Sequence, residues 1–375
     1  MLTRTQSAPV ACMEVKSMSI SVTTCSPEQR KPLPEWTQAL GFGRLFSDHM
    51  FMMEYEGGWK NPRVVPYQSL TLDPAAMCLH YGQEIFEGMK VYQGENNHVY
   101  GFRSRDNFAR MNRSAKRLIM PELDVEVAYE GLCALVRQDA RWVPPKHGYA
   151  LYIRPTMISM DAALGVRPAN QYLFFMIASP VASYYPQEND NLNAVKIFVN
   201  DKYFRAVRGG TGEAKCAGNY AASLASQWEA KTAGYAQVLW LDALERRNVE
   251  EVGTMNIFFV IDGKLVTSPL NGSILPGITR DSVIQLARHD GLEIEERPVS
   301  IAEVISGTVS GRITEVIGTG TAAVISPVSH IAFSGTEHQV ADGQSGPVAR
   351  RMYAELLGIQ YGKKEDPFGW TSIIL

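Results

Sequence analysis

Short apolar runs of strand length recur along the whole chain, and they limit its fold more than any other feature. The runs at 149–158 and 172–177 are typical of buried strands, and similar runs follow at 195–199, 238–241 and 257–261. Helical spacing of apolar residues separates several of these runs. The helical stretches are 105–118, 125–142, 221–233, 280–289 and 346–357. The mixture predicts an α+β fold with a large sheet component.

The region before the first helix is predicted to be extended chain broken by turns. Residues 46–67 form extended segments, with turns at Gly57-Gly58 and Asn61-Pro62, and 82–92 and 99–102 add further strand candidates. The helix that follows at 125–142 is expected to end before Pro144-Pro145, since proline cannot easily continue a helix.

Two domains are expected from the length of the chain. Its 375 residues, 45% of them hydrophobic, exceed the roughly 250 to 300 residues at which single cores stop growing. The polar segment 187–193 resembles a connector. We therefore expect a flexible arm or presequence at 1–30, a smaller α/β domain at 31–183, a connector at 184–193 and a larger domain at 194–375.

The charge and cysteine content favour small-molecule chemistry inside the cell. A net charge of −3 with mixed acids and bases gives no basic face for nucleic acid. No run approaches the roughly 18 apolar residues of a membrane span. Five scattered cysteines without a C-x-x-C pair indicate neither disulfides nor a metal site. A cytoplasmic location is expected, although the Ser- and Thr-rich start, with no acid before Glu14, leaves a mitochondrial presequence open.

Lys215 is the first candidate for chemistry, because glycines and small residues surround it in R-A-V-R-G-G-T-G-E-A-K-C-A-G-N-Y at 205–220. A nucleophilic lysine needs room for a covalently attached ligand and a setting that lowers its pKa from about 10.4. Composition alone favours an ordinary surface-loop lysine.

Three further segments could complete a site. E-E-V-G-T-M-N at 250–256 puts carboxylates at the entrance of an apolar strand, or is a solvated turn. L-P-G-I-T-R-D at 275–281 leads into a helix whose free N–H groups suit a phosphate, or is an ordinary capped loop. I-G-T-G-T-A-A at 317–323 matches G-x-G-x-x-A, but a dinucleotide turn should open a helix. Here V-I-S-P follows, which is β-branched and breaks at proline, so an anion-binding loop is the better interpretation.

These four segments, in this order, resemble the fold-type IV pyridoxal-phosphate enzymes, and in detail the branched-chain amino acid aminotransferases. The likeness covers roughly residues 40–362. It rests on F-G-R-L-F-S-D-H-M at 42–50, H-Y-G-Q-E-I-F-E-G-M-K at 80–90, Y-I-R-P at 152–155, A-K-C-A-G-N-Y at 214–220, E-V-G-T-M-N at 251–256 and G-T-G-T-A at 318–322. The resemblance implies a two-domain fold like that of D-amino acid aminotransferase, with a pseudo-barrel sheet in the larger domain.

The resemblance also implies the cofactor, pyridoxal 5'-phosphate, and the residues that bind it. Lys215 would carry it as a Schiff base, Glu251 would pair with the pyridine nitrogen, and Tyr220 would contact the phenolic oxygen. The remaining cofactor residues would be Arg110, Ile278, Thr279 and Thr321 at the phosphate, with Arg205 and Thr254 in support. Without the resemblance, Arg110 would be one charge on an amphipathic helix.

The substrate site implied by the resemblance is apolar, with one arginine. Its residues would be Phe42, Phe86, Tyr152, Tyr184, Thr254 and Ala322, with Tyr81, Leu164 and Val166 from the neighbouring subunit of a homodimer. Arg154 would bind the second carboxylate of glutamate or 2-oxoglutarate, or else form a structural ion pair. A C-x-x-C redox pair known from some vertebrate relatives is replaced here by Ala323 and Ser326, and Cys216 is expected to be a packing residue.

The activity implied is transfer of the amino group of L-leucine, L-isoleucine or L-valine to 2-oxoglutarate, which gives branched 2-oxo acids and L-glutamate. Lys215, once displaced from the cofactor, would act as the base that moves the Cα proton. Two alternatives stay open. One is a sibling enzyme on the same scaffold, such as a D-amino acid or amine transaminase or aminodeoxychorismate lyase. The other is a non-catalytic protein that kept the fold.

Overall fold

Two nine-stranded sheets and eight α-helices make up the computed structural model, which describes residues 18–36, 40–182 and 192–375. The strands are β1 Ser21–Val22, β2 His49–Glu56, β3 Trp59–Pro66, β4 Glu84–Phe86, β5 Met89–Gln93, β6 Val99–Phe102, β7 Ala150–Ser159, β8 Gln171–Val181, β9 Val195–Asn200, β10 Gln237–Leu241, β11 Val249–Val252, β12 Met255–Ile261, β13 Lys264–Thr267, β14 Ile294–Glu296, β15 Ile313–Gly320, β16 Val324–Phe333, β17 Thr336–Gln339 and β18 Thr371–Ile373. The helices are α1 Met77–Tyr81, α2 Ser104–Arg117, α3 Val125–Gln138, α4 Ala217–Ala221, α5 Leu224–Thr232, α6 Ile278–His289, α7 Ile301–Ser310 and α8 Pro347–Gln360.

The first sheet has the order β1-β3-β2-β8-β7-β5-β6-β18, and β4 pairs with β7. Its strands follow the two-residue period of a sheet buried on both faces. In β2, Phe51 and Met53 pack into the core beneath α2 and α3, whereas Met50 and Met52 pack into a separate cluster on the opposite face. Helix α2 covers the face that carries Phe51, because Phe108, Met111 and Ala115 of the helix are buried in the same core.

The second sheet closes into a ring of strands, as the resemblance implied. The ladder runs β11-β10-β9-β16-β15-β12, and an additional pairing of β11 with β12 completes the circle. Beyond the ring, β13 and β14 extend the sheet from β12, and β17 pairs with β16. The α+β class and the pseudo-barrel are therefore confirmed.

A shared core joins the two sheets. Tyr92 and Tyr152 of the first sheet pack in one cluster with Phe258 and Ile317 of the second, together with apolar residues of α6 and α8. The last strand, β18, pairs with β6, so the C-terminal residues complete the first sheet rather than the second. The division into domains at 31–183 and 194–375 stays a prediction. Much of the predicted arm, at 1–17, and most of the connector, at 183–191, lie outside the described residues.

Most predicted elements are present, and a few predictions are wrong. Asn61-Pro62 is not a turn: both residues lie within β3, where Asn61 has a φ of 54° and the ladder with β2 is irregular. The strand after the G-T-G-T-A turn does not break at Pro327, because β16 runs through it. Helix α3 ends at Gln138, and a short 3-10 turn replaces its predicted last residues. None of the described helices is long and apolar enough to cross a membrane.

Candidate active site

Lys215 lies at the junction of the two sheets, just before α4. Its N–H donates to the Ser114 hydroxyl of α2 at 2.9 Å, and its carbonyl accepts the N–H of Phe86 in β4 at 3.0 Å. A β-bridge between Ile85 and Cys216 extends this connection. The backbone of Lys215 is therefore fixed from both sides, which leaves only its side chain to move. Cys216 is buried in the core under α2, as expected of a packing residue.

The Lys215 amine is held among aromatic rings. Tyr220, at the end of α4, has its hydroxyl 2.9 Å from Nζ. Nζ also lies 5.1 Å from the ring centre of Phe86, and the rings of Phe86 and Tyr220 are 4.7 Å apart. An amine next to a phenol and two π faces is half-buried but still approachable, which is the environment that a nucleophilic lysine requires.

Glu251 is a buried carboxylate in β11, near enough to Lys215 for the two charges to interact. Its Oε2 is 2.8 Å from Nε of Arg205. Its Oε1 accepts hydrogen bonds from the N–H of Leu275 at 2.9 Å and from Nδ2 of Asn256 at 3.1 Å. Burial raises the pKa of the Glu251 carboxyl, and the Arg205 charge and the Leu275 N–H oppose that rise. Glu251 also lines a neighbouring cavity.

That cavity joins most of the residues predicted around the cofactor ring. It is lined by Arg205, Asn219, Tyr220, Ser223, Glu251, Gly253, Thr254 and Leu275. Thr254 is exposed at the turn between β11 and β12. The Arg205 guanidinium is anchored by the carbonyls of Gly212 and Ser273, which tie the loop before Lys215 to the loop before α6.

The start of α6 presents unpaired backbone N–H groups. Gly277 is its N-cap and supplies no side-chain cap, so the first-turn amides of Ile278 and Thr279 have no partner within the helix. A Cβ at Gly277 would come 2.0 Å from Oδ1 of Asn256, and this close approach requires glycine. The amides and the positive end of the helix dipole suit an anion such as phosphate.

The G-T-G-T-A segment comes to the same place. Residues 321–323 form the turn between β15 and β16, and Thr321 lines a second small cavity together with Ile278, Thr279 and Lys90. No helix follows the turn, so the interpretation as a dinucleotide fingerprint is excluded.

Arg110 of α2 reaches the loop that precedes α6. Its Nε and Nη2 form a bidentate pair with Glu87 at 2.8 and 2.7 Å, and both side chains are buried. Its Nη1 donates to the carbonyl of Pro276 at 3.2 Å. Arg110 therefore contacts the segment that precedes the anion-binding end of α6. Sequence reasoning did not single out Glu87, although an acid inside the apolar motif I-F-E-G-M was a signal that it has a buried partner.

Four of the predicted substrate residues lie close together beside the first sheet, namely Phe42, Phe86, Tyr152 and Arg154. Tyr152 and Arg154 are two positions apart on β7, and Nη2 of Arg154 donates to the Tyr152 hydroxyl at 2.9 Å. Phe42 packs edge-on against Tyr152 at 4.9 Å between ring centres. Gly88 leaves room for the Tyr152 hydroxyl, since a Cβ there would lie 2.0 Å from it.

Arg154 has no acidic partner among the ion pairs of the described residues. Its guanidinium lies 4.7 Å from the centre of the Phe86 ring, and its buried Nε has no hydrogen-bond partner. Its charge opposes the rise that burial causes in the pKa of the Glu84 carboxyl, and the choice between a substrate role and a structural one stays a prediction. A guanidinium beside an aromatic ring suits a carboxylate ligand.

The three substrate residues that the resemblance assigns to the neighbouring subunit lie on the surface. Tyr81 is 40% exposed, Leu164 66% and Val166 83%, and the Tyr81 hydroxyl donates to the carbonyl of Leu164. These three side chains, here called the 81/164/166 patch, are left exposed by the described residues. Ala322 lies in the turn before β16, and Tyr184 lies outside the described residues.

Comparisons with a family model, with protein sequences and with solved structures all find aminotransferases. The model of the family "Amino-transferase class IV" matches residues 84–331. Branched-chain-amino-acid aminotransferase 2 of Bacillus subtilis (strain 168) is 49% identical over 345 residues, which are 92% of this chain and 94% of that protein. The crystal structure of the Escherichia coli branched-chain amino acid aminotransferase superposes with a TM-score of 0.74 at 29% identity, covering 88% of this chain and 99% of the other. The T.th. branched-chain amino acid aminotransferase with pyridoxamine 5'-phosphate gives a TM-score of 0.72 at 28% identity, covering 86% and 98%.

Proposed function

The chain belongs to the amino-transferase class IV family, and on that basis we propose that it is a branched-chain-amino-acid aminotransferase that uses pyridoxal 5'-phosphate. The observation that carries the proposal is the convergence of the Lys215 amine, the buried Glu251 carboxylate and the open start of α6. These are an amine that can hold an aldehyde, an acceptor for a protonated ring nitrogen and a phosphate site. The substrates of an aminotransferase are small molecules, namely amino acids and 2-oxo acids.

The residues present fit this cofactor, and each has a defined task. The amides of Ile278 and Thr279 and the hydroxyl of Thr321 would hold the phosphate, with Arg110 beside them. Glu251 would keep the pyridine nitrogen protonated, and Arg205 in turn holds Glu251. The bound cofactor supplies an electron sink that stabilises negative charge at the substrate Cα.

Lys215 moves the proton in the proposed reaction. Its Nζ lies on a flexible stem whose backbone is fixed by Ser114 and Phe86, and as a free amine it would be the base for the substrate Cα proton. The same Nζ would return that proton to the cofactor carbon on the other side of the shared nitrogen. The Tyr220 hydroxyl, 2.9 Å from Nζ, keeps the amine in this orientation.

The substrate end accommodates two kinds of side chain. Phe42, Phe86 and Tyr152 offer apolar surface to the side chains of L-leucine, L-isoleucine and L-valine. Arg154 offers charge-assisted hydrogen bonds to the second carboxylate of 2-oxoglutarate or L-glutamate. The apolar side chain and the second carboxylate would contact different atoms. The aromatic rings would contact the former, and the Arg154 guanidinium, which lies 4.7 Å from the Phe86 ring centre, would bind the latter.

We also propose that the enzyme is a homodimer whose partner subunit supplies the 81/164/166 patch to this substrate site. The support is the exposure of Leu164 and Val166, since large apolar side chains clustered at the surface mark an interface. Dilution in a sedimentation experiment tests this, and a catalytically active monomer would contradict it. An intracellular location stays a prediction.

An absorption spectrum of the purified holoenzyme tests the proposed function. L-leucine should remove the visible band of the bound cofactor, and 2-oxoglutarate should restore it. The same titration with D-alanine and with a chiral amine is the control for specificity. A response to those compounds alone would instead support a sibling enzyme, and the absence of any cofactor band after reconstitution would contradict the assignment altogether.

A further inference from the structure

Lys90 is a buried lysine to which neither the sequence analysis nor the proposed mechanism assigns a role. It lies in β5 directly opposite Tyr152 of β7, so both side chains point to the same face of the first sheet. That face packs against the second sheet, and Nζ of Lys90 crosses to it and donates to the carbonyl of Ala322 at 2.7 Å. Lys90 is 7% exposed and belongs to no ion pair among the described residues.

A buried ammonium with one acceptor is under-compensated. An ammonium has three donors, and burying its charge without a partner is strongly unfavourable. Burial lowers the pKa of Lys90 to about 7. The nearest candidate acid in sequence, Glu87, is already bound at both oxygens by Arg110, so it offers no free charge. Among the described residues, Lys90 Nζ thus has one acceptor, the Ala322 carbonyl, and no ion-pair partner.

A cavity at the start of α6 lies next to Lys90. This cavity is lined by Lys90, Asn107, Ile278, Thr279, Thr321 and Gln360, among others. Three of these are the residues proposed to hold the cofactor phosphate. Oε1 of Gln360 is buried without a donor. The cavity thus combines a helix start, two threonines and an uncompensated cation.

We propose that Lys90 is a further cofactor-binding residue, whose ammonium provides positive charge to the phosphate held at the start of α6 while it ties the turn at Ala322 in place. This inference rests on the proposed function, because it presumes that the anion is the cofactor's phosphate. Lys90 would then interact with two segments: its Nζ donates to the carbonyl of Ala322 between β15 and β16, and its charge would attract the phosphate at the start of α6.

The variants Lys90→Met and Lys90→Gln test the proposal, with Lys60→Met as the matched control. Lys60 is an exposed residue of the same sheet, paired with Glu56. Methionine removes charge and donor, whereas glutamine keeps a donor for Ala322 and removes only the charge. Each apoenzyme is titrated with pyridoxal 5'-phosphate and, separately, with pyridoxal, which lacks the phosphate. Binding is followed by quenching of tryptophan fluorescence, without any turnover.

We expect both Lys90 variants to bind pyridoxal 5'-phosphate about 10- to 100-fold more weakly, which is the usual loss for one charge-assisted contact. Pyridoxal affinity should change less than about threefold, since it has no phosphate to respond to the lost charge. Inorganic phosphate should raise the melting temperature of the wild-type and Lys60→Met apoenzymes and leave that of the Lys90 variants unchanged.

Equal weakening for pyridoxal and its phosphate would overturn the proposal, because Lys90 would then only shape the turn. Unchanged binding of both compounds would overturn it as well. So would failure of both variants to fold, as judged by circular dichroism, since the ammonium would then serve the fold. A wild-type protein that binds no pyridoxal 5'-phosphate at all would instead refute the proposed function, which separates the two failures.

Discussion

Replacing Arg154 with methionine should separate the two half-reactions of the enzyme. Arg154 is the guanidinium at the substrate end, stacked 4.7 Å from the Phe86 ring centre and bonded to the Tyr152 hydroxyl. Methionine keeps much of the stem and its contact with the ring while removing the charge. Arg154 forms no ion pair among the described residues, and its charge only offsets part of the rise that burial causes in the pKa of the Glu84 carboxyl, so its loss should cost little stability.

The size of the effect follows from what the guanidinium can offer. Its Nη2 has Tyr152 as a partner and its Nε has none, so donors remain for a distal carboxylate. Loss of charge-assisted hydrogen bonds to a carboxylate costs about 3 kcal/mol, which corresponds to roughly 100-fold in kcat/KM. We therefore expect kcat/KM for 2-oxoglutarate to fall about 100-fold. L-leucine has no second carboxylate, so its value should change less than about threefold.

Single-turnover absorbance measurements give the two values independently. The cofactor band is followed as L-leucine converts one form of the enzyme and as 2-oxoglutarate converts the other. Arg312→Met is the matched control, because Arg312 is an exposed arginine paired with Asp262 on the second sheet. A parallel loss in both half-reactions, or undiminished use of 2-oxoglutarate, would refute the role of Arg154.

Three further predictions concern the amine, the buried carboxylate and the acid stability. Lys215→Ala should lower turnover at least about 1,000-fold and abolish the visible band of the bound cofactor, as measured in the leucine assay. Glu251→Gln should slow proton removal from leucine roughly 100-fold in single-turnover experiments while the protein still binds cofactor; an unchanged rate would contradict its role at the ring nitrogen. Burial would raise the pKa of Asp48, but hydrogen bonds from Trp142 and Arg141 outweigh it and lower that pKa. Its carboxylate therefore stabilises the fold above its unfolded pKa of about 3.9, and that contribution is lost as the pH falls through the lower folded value. Asp48→Asn should thus cost about 2 kcal/mol at pH 7 and progressively less in acid, as measured by urea unfolding; a difference that does not shrink in acid would contradict this.

The sequence predicted the elements whose pattern is local. Helix α2 and strands β7 and β9 came within a residue or two of their predicted bounds, because their apolar spacing matches one period throughout. The turn predicted at Asn61-Pro62 was wrong. These residue types favour turns, but here pairing of β3 with β2 holds them in an irregular strand. Helix α7 was missed because its small and β-branched residues give little helical signal, and packing against the barrel compensates.

Contacts between distant segments could not be predicted in the same way. The motif around Lys215 suggested a site, but only the fold brings Ser114 and Phe86 onto its backbone. Lys90 sits in the same motif as Phe86 and looks like a polar end to an apolar strand. Its significance depends on Ala322, more than two hundred residues later, and no local pattern reports a pairing of that separation.

The two ends of the site depend on different sheets, and this explains how one cofactor arrangement can serve several specificities. Glu251, Arg205 and the start of α6 belong to the second sheet and its loops, and they hold one another through Leu275 and Asn256. The groups proposed to face the substrate come from β4 and β7 of the first sheet. A change on β7 therefore leaves the Glu251 contacts intact and alters only what the aromatic rings and the arginine accept. The backbone of Lys215 is bound to α2 and to β4, the element that carries Phe86, so its amine should keep the same position relative to the proposed substrate side chains when β7 changes.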